Sequence, residues 1–149
     1  YRSSRGLGDV YKRQGWESPS EEWDLKLTAL IQDSMILLKD AIDQSKPFFS
    51  ISQIQKDGKE FLANMKDAKE SLKYILTYLK EENISKINET SAKEIITKIS
   101  VNHSIKKGIV MKSLRVAFFG CLSGPDLIQS WELFSETKSD VTLIERCLN

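Results

Sequence analysis

Apolar residues recur every three to four positions along most of this chain, the spacing of one buried face on an α-helix. The first stripe is Leu27, Leu30, Ile31, Leu38, Ala41 and Ile42, anchored at Trp23. Ser18-Pro-Ser-Glu-Glu precedes it and supplies a hydroxyl cap with acids in the first turn, where they meet the positive end of the helix dipole. Pro47 ends that helix. Phe48, Phe49, Ile51 and Ile54 then form an apolar connection expected to tuck under it. A second run over 57–80 places Phe61, Leu62, Met65, Ala68, Leu72, Ile75, Leu76 and Leu79 on one face. Residues 83–88 read as a connection. Thr90-Ser-Ala-Lys-Glu resembles an N-cap with an acid in the first turn, opening a helix whose core face is Ala92, Ile95, Ile96 and Ile99.

The last third is denser. Lys106-Lys-Gly is a turn, residues 110–119 have the apolar density of a short buried helix, and Gly120 is placed to stop it. Ser123-Gly-Pro-Asp-Leu offers a capping hydroxyl, a proline for the first helical position and an acid for the first turn. Ile128, Trp131, Leu133 and Phe134 carry the helix that follows, and Ser139-Asp140 caps a last one holding Val141, Ile144 and Leu148. No alternating pattern longer than four residues marks a strand, and no segment repeats. The pattern predicts an all-α fold of short helices.

Composition changes this picture at one end only. The chain has 149 residues, 40% of them hydrophobic and 29% charged, which suits one ordinary domain. Residues 1–14, YRSSRGLGDVYKRQ, carry four basic groups and one acid without hydrophobic periodicity. Their end, DVYKRQ, back-translates to GATGTGTATAAGAGACAG, which looks like a transposon end used to build sequencing libraries. The stretch therefore reads as a disordered cloning or assembly scar, with the folded domain over 15–149 and a further division into 15–88 and 89–149 left open. With no Met at position 1, the chain is expected to begin inside a longer protein.

Setting aside those fourteen residues leaves 18 basic and 20 acidic groups, a net charge of −2. That balance argues against nucleic-acid binding by bulk electrostatics, which needs concentrated Lys and Arg. The charge is uneven, however. Between Lys93 and Arg115 lie Lys93, Lys98, Lys106, Lys107, Lys112 and Arg115 against the single acid Glu94. Such a segment is either a local phosphate-binding patch or an ordinary solvated face.

Little else points to chemistry. No apolar run approaches the ~20 residues that span a bilayer. Cys121 and Cys147 lie far apart without metal-site spacing and read as reduced thiols of an intracellular protein. His103 is the sole histidine and sits beside a lysine-rich turn, so no tetrahedral zinc set can be assembled. No glycine-rich phosphate loop follows a strand. The expectation is a non-catalytic chain with no cofactor and no metal of its own.

The segment from Lys107 to Gly120, KGIVMKSLRVAFFG, followed by Ser123-Gly-Pro-Asp-Leu, resembles the end of bacterial glutamyl-tRNA synthetases, cyanobacterial members above all. There a segment of the form KGKxxxPLRxALTG precedes a GPxL turn. The resemblance spans about residues 16–148 and is sharpest over 106–134. It departs at Ser113, where the family has proline, at Phe118-Phe119, and at Phe134-Ser-Glu-Thr-Lys.

The resemblance implies a compact helical anticodon-binding domain whose partner is the anticodon loop of glutamate tRNA. The parent would be a cytoplasmic, monomeric ligase using ATP and magnesium in a catalytic domain whose signatures this chain lacks. Carried over by position, Arg115, Gly124, Pro125 and Leu127 would approach the anticodon bases, with Leu127 as an apolar wall. Lys106, Lys107 and Lys112 would position phosphates without reading sequence. Unstacked loop bases are commonly read in this way, by stacking and base-edge contacts. The competing readings are a helical structural or protein-interaction domain without RNA specificity, and a small regulator using the same fold.

Overall fold

A computed structural model describes residues 10–32, 38–51 and 53–148. Among the described residues every regular element is helical, as the apolar spacing predicts. The chain forms two compact units, 1–51 and 52–149. No division falls near residue 88, because the long helix ending at Glu81 packs against two helices from the last third of the chain.

In the first unit, α1 (Glu21–Ile31) and α2 (Leu38–Ser45) are followed by a 3-10 turn at Lys46–Phe48. Ser20, within the Ser18-Pro-Ser-Glu-Glu signal, caps α1 by accepting from the Trp23 amide at 3.2 Å. Ser18 instead donates to Asp24 at 2.9 Å. Trp23, Leu27 and Ile31 are buried along one face, while the stripe positions Leu38 and Ala41 lie outside the residues whose side chains are described. Phe49 packs as the connection predicts: it stacks on Trp16 at 4.9 Å and meets Trp23 edge-on at 5.2 Å. Ile51 is exposed, because the chain is already leaving this unit.

The expected disorder of 1–14 does not hold where the chain is described. Residues 10–13 are helical, and Tyr11 lies buried against Phe49 at 4.9 Å with its hydroxyl 2.9 Å from Ser45 Oγ. The buried ring and its hydrogen bond tie this turn to Phe49 and Ser45. Residues 1–9 lie outside the described residues.

The second unit contains α3 (Lys56–Asn64), α4 (Lys66–Glu81), α5 (Glu89–His103), α6 (Lys107–Phe119), α7 (Leu127–Glu136) and α8 (Ser139–Leu148). The packing of α4 against α6 and α8 forms its centre, with α5 and α7 on α6 and on each other. Leu72, Ile75, Leu114, Ala117, Phe118, Trp131, Phe134, Leu143 and Ile144 are almost completely buried there. Phe118 and Phe134 are in ring contact at 4.9 Å. Arg146 closes one edge, donating from Nη2 to the Ala117 carbonyl at 2.8 Å.

The apolar run over 57–80 is two helices rather than one. Met65 is extended, with φ −107° and ψ 101°, and is 37% exposed instead of sitting in the stripe. A straight helix from 56 to 81 would be about 39 Å long, more than the diameter of a small domain. The break turns α3 back onto the end of α6.

Candidate nucleic-acid interface

The loop joining α6 to α7 is held at both ends. Gly120 caps α6 in the left-handed region at φ 75°, and its amide closes onto the Val116 carbonyl at 2.8 Å. A side chain there would meet the Gln53 carbonyl at 2.6 Å, so only glycine fits. Gly124 lies at φ 151°, where a Cβ would strike the Phe119 ring at 2.7 Å. At the far end Asp126, not Ser123, caps α7: its Oδ1 accepts from the Gln129 amide at 2.9 Å. Pro125 thus precedes the cap instead of opening the helix, because a carboxylate one residue later does the capping.

Arg115 reaches this loop from the face of α6. Its Nη1 donates to the Pro125 carbonyl at 2.8 Å and to the Gly124 carbonyl at 3.2 Å. The arginine is half-buried, and its charge is spent on the turn rather than left in solvent. A guanidinium has five N–H donors in a planar fork. Among the described residues Nε and Nη2 of Arg115 make no hydrogen bond, which leaves one edge of the fork for a ligand.

The structure brings Arg115, Gly124 and Pro125 together and leaves Ser123 and Gly124 exposed beside them. Leu127, the first residue of α7, is 2% exposed, so any wall it offers is formed in the core beneath the turn and not on the open surface. Lys106 and Lys107 sit at the start of α6, roughly 12 Å along the helix from Arg115, while Lys112 lies one turn away from it. All three lysines are exposed and carry no ion pair among the described residues. The other lysines of the basic segment are engaged. Lys93 pairs with Glu89 at 2.8 Å, and Lys98 lies 5.1 Å above the Tyr78 ring.

A second group at this loop escapes sequence reading. Asp57 accepts from the Leu122 amide at 3.2 Å, and the Gln55 amide donates to the Gly120 carbonyl at 2.7 Å. Asp57-Gly58 looks like an ordinary turn dipeptide, and no spacing signal marks a partner 65 residues away. Among the described residues no group of three or more His, Cys, Asp or Glu side chains is placed to hold a metal ion. Among the described residues no helix is long and apolar enough to cross a membrane.

Three comparisons bear on this arrangement. Residues 9–140 match the family described as "Anticodon binding domain". The chain is 76% identical over 139 residues to the glutamate–tRNA ligase of Prochlorococcus marinus subsp. pastoris, covering 93% of this chain and 29% of that protein. It is 79% identical over 142 residues to the corresponding enzyme of Prochlorococcus marinus strain MIT 9515, covering 95% and 30%. The chain therefore spans less than a third of the length of these relatives. Its fold is similar to that of a glutamate tRNA ligase from Elizabethkingia meningosepticum, with a TM-score of 0.69 at 20% identity over 98% of this chain and 29% of that one.

Proposed function

Since the chain belongs to the family of anticodon-binding domains, we propose that it is the C-terminal part of a glutamate–tRNA ligase and binds the anticodon loop of glutamate tRNA. The observation that carries this reading is the pairing of Arg115 with the Gly124 and Pro125 carbonyls. A charged fork with one free edge is held beside an exposed, pre-set turn, which is what reading a splayed base requires.

In this reading Arg115 meets a base edge or stacks on a base, while Gly124 and Pro125 bring backbone close to a neighbouring one. Leu127 supports the turn from the core. Lys106, Lys107 and Lys112 neutralise phosphates and set the register of the loop. ATP and magnesium serve amino-acid activation in the parent's catalytic domain, and no residue of this chain is assigned to them. The parent works in the cytoplasm as a monomer. Membership of the anticodon-binding family favours this reading over a helical interaction domain without RNA specificity.

The test is binding to RNA hairpins whose loop carries a glutamate anticodon or the same anticodon with its middle base changed. The cognate hairpin should bind more tightly by about 1–3 kcal/mol, if discrimination per base resembles that measured for DNA. Affinity should fall steeply with salt. Arg115→Ala should erase most of the preference and leave the salt slope almost unchanged. Equal binding of every hairpin by the wild-type chain would sink the proposal, leaving only a basic patch.

A further inference from the structure

We propose that residues 53–58, which lead into the first turn of α3, are a brace that sets the position of the base-reading loop, so that Asp57 and Gly58 govern anticodon discrimination without touching RNA. This rests on the function proposed above, which places the reading groups on the α6–α7 loop.

Three separate contacts make the brace. The Gln55 amide donates to the Gly120 carbonyl at 2.7 Å. Asp57 uses both carboxylate oxygens: Oδ1 accepts from its neighbour's amide, Gly58 N, at 2.9 Å, and Oδ2 from Leu122 N at 3.2 Å. Gly58 is buried so closely that a Cβ would lie 2.7 Å from the Gly120 carbonyl oxygen and 3.1 Å from Val116 Cγ1.

Each choice of residue is unnecessary for α3 itself. One acceptor oxygen is enough near a helix start, and Asp57 spends its second on a loop 65 residues away. Glycine weakens a helix, yet here it permits the close approach of two backbones. Arg115 fixes the loop at 124 and 125, and the brace fixes it at 120 and 122. Between these anchors the Cys121 thiol donates to the Ser123 carbonyl at 3.3 Å, a contact within the loop that ties it to nothing outside. Position at one anchor is therefore transmitted to the other through only a few residues. Asp57 is solvent-exposed, so its substitution disturbs the loop more than the core. Asp57 and Gly58 act as positioning residues.

The experiment uses the full chain with the two hairpins described above. Asp57→Ala, Asp57→Asn and Gly58→Ala are followed by RNA binding, by thermal melting and by hydrogen exchange at the Leu122 amide. Asp57→Ala should speed that exchange and cut the preference for the cognate hairpin severalfold, without reversing it. The salt slope should stay at the wild-type value, because the phosphate-positioning lysines are untouched. Asp57→Asn, which keeps one acceptor, should fall between Asp57→Ala and wild type. Gly58→Ala should lower the preference by pushing on the Gly120 carbonyl, and if it unfolds the chain the Asp57 variants carry the test. Faster exchange with an unchanged preference would overturn the brace while leaving the proposed function standing. A wild-type chain that does not distinguish the hairpins would overturn both.

Discussion

Asp140 is 6% exposed, and its Oδ2 accepts from the Trp131 indole at 3.2 Å deep in the second unit. Burial pushes its carboxyl above the ordinary carboxylate range, and the indole and backbone N–H groups pull it only part of the way back. The folded state therefore holds this proton to higher pH than the unfolded chain does. Stability contributed by the protonated form is present below the unfolded value near 4 and is lost as pH rises through the raised folded value. Asp140→Asn keeps an acceptor for Trp131 and removes the titration. Its melting temperature relative to wild type should accordingly be more favourable at pH 7 than at pH 4, with the other carboxylates cancelling in the comparison. A difference that does not change with pH would show that Asp140 titrates alike in both states. Arg115 belongs to the same scale: a lone charge in an apolar run has its reason in two carbonyl partners nine and ten residues further on.

Elements were legible where one face alone decides them. The stripes through Trp23 and Leu27, through Leu72 and Ile75, and through Ile95, Ile96 and Ile99 are all buried as their spacing predicts. Helix ends were less so, because several polar residues compete for each cap and packing chooses among them. Asn88, not Thr90, starts α5, in a reciprocal arrangement where Asn88 Oδ1 accepts from the Ser91 amide and Ser91 Oγ from the Asn88 amide, both at 2.9 Å. Asn88→Ala should cost about 1 kcal/mol, read as a fall in melting temperature of roughly 2–4 °C for a chain of this length. Thr90→Ala should change it little, and the opposite order would show that the cap is misassigned. The break at Met65 had no signal, since apolar spacing runs straight through it. The loop's own residues could be named from Leu114-Arg115 and Gly124-Pro125. The brace could not, because Asp57 and Gly58 become meaningful only beside Gly120 and Leu122.

At the scale of the whole chain, the two compact units give different answers to one truncation. Residues 1–14 read in the sequence as a cloning or assembly scar, yet the family match begins at residue 9, and Tyr11 is 1% exposed with burial pushing its phenol up to about 12. Whatever its origin, the ring fills space beside Phe49 and Ser45 that would otherwise be empty or wet. Removing a buried aromatic side chain costs about 3–5 kcal/mol in a well-packed core. The core of the second unit is built from helices α3 to α8 packing on one another. A chain lacking residues 1–14 should thus lose hydrogen-exchange protection over 21–31 while keeping it over 66–81 and 107–119. Anticodon discrimination, which the proposed site places wholly in the second unit, should persist. Loss of protection over 107–119 would show that the units fold as one and that the first 14 residues hold more than their own unit. Unchanged protection over 21–31 would instead mean that Tyr11 occupies its pocket without stabilising it, as expected of a residue the domain did not need.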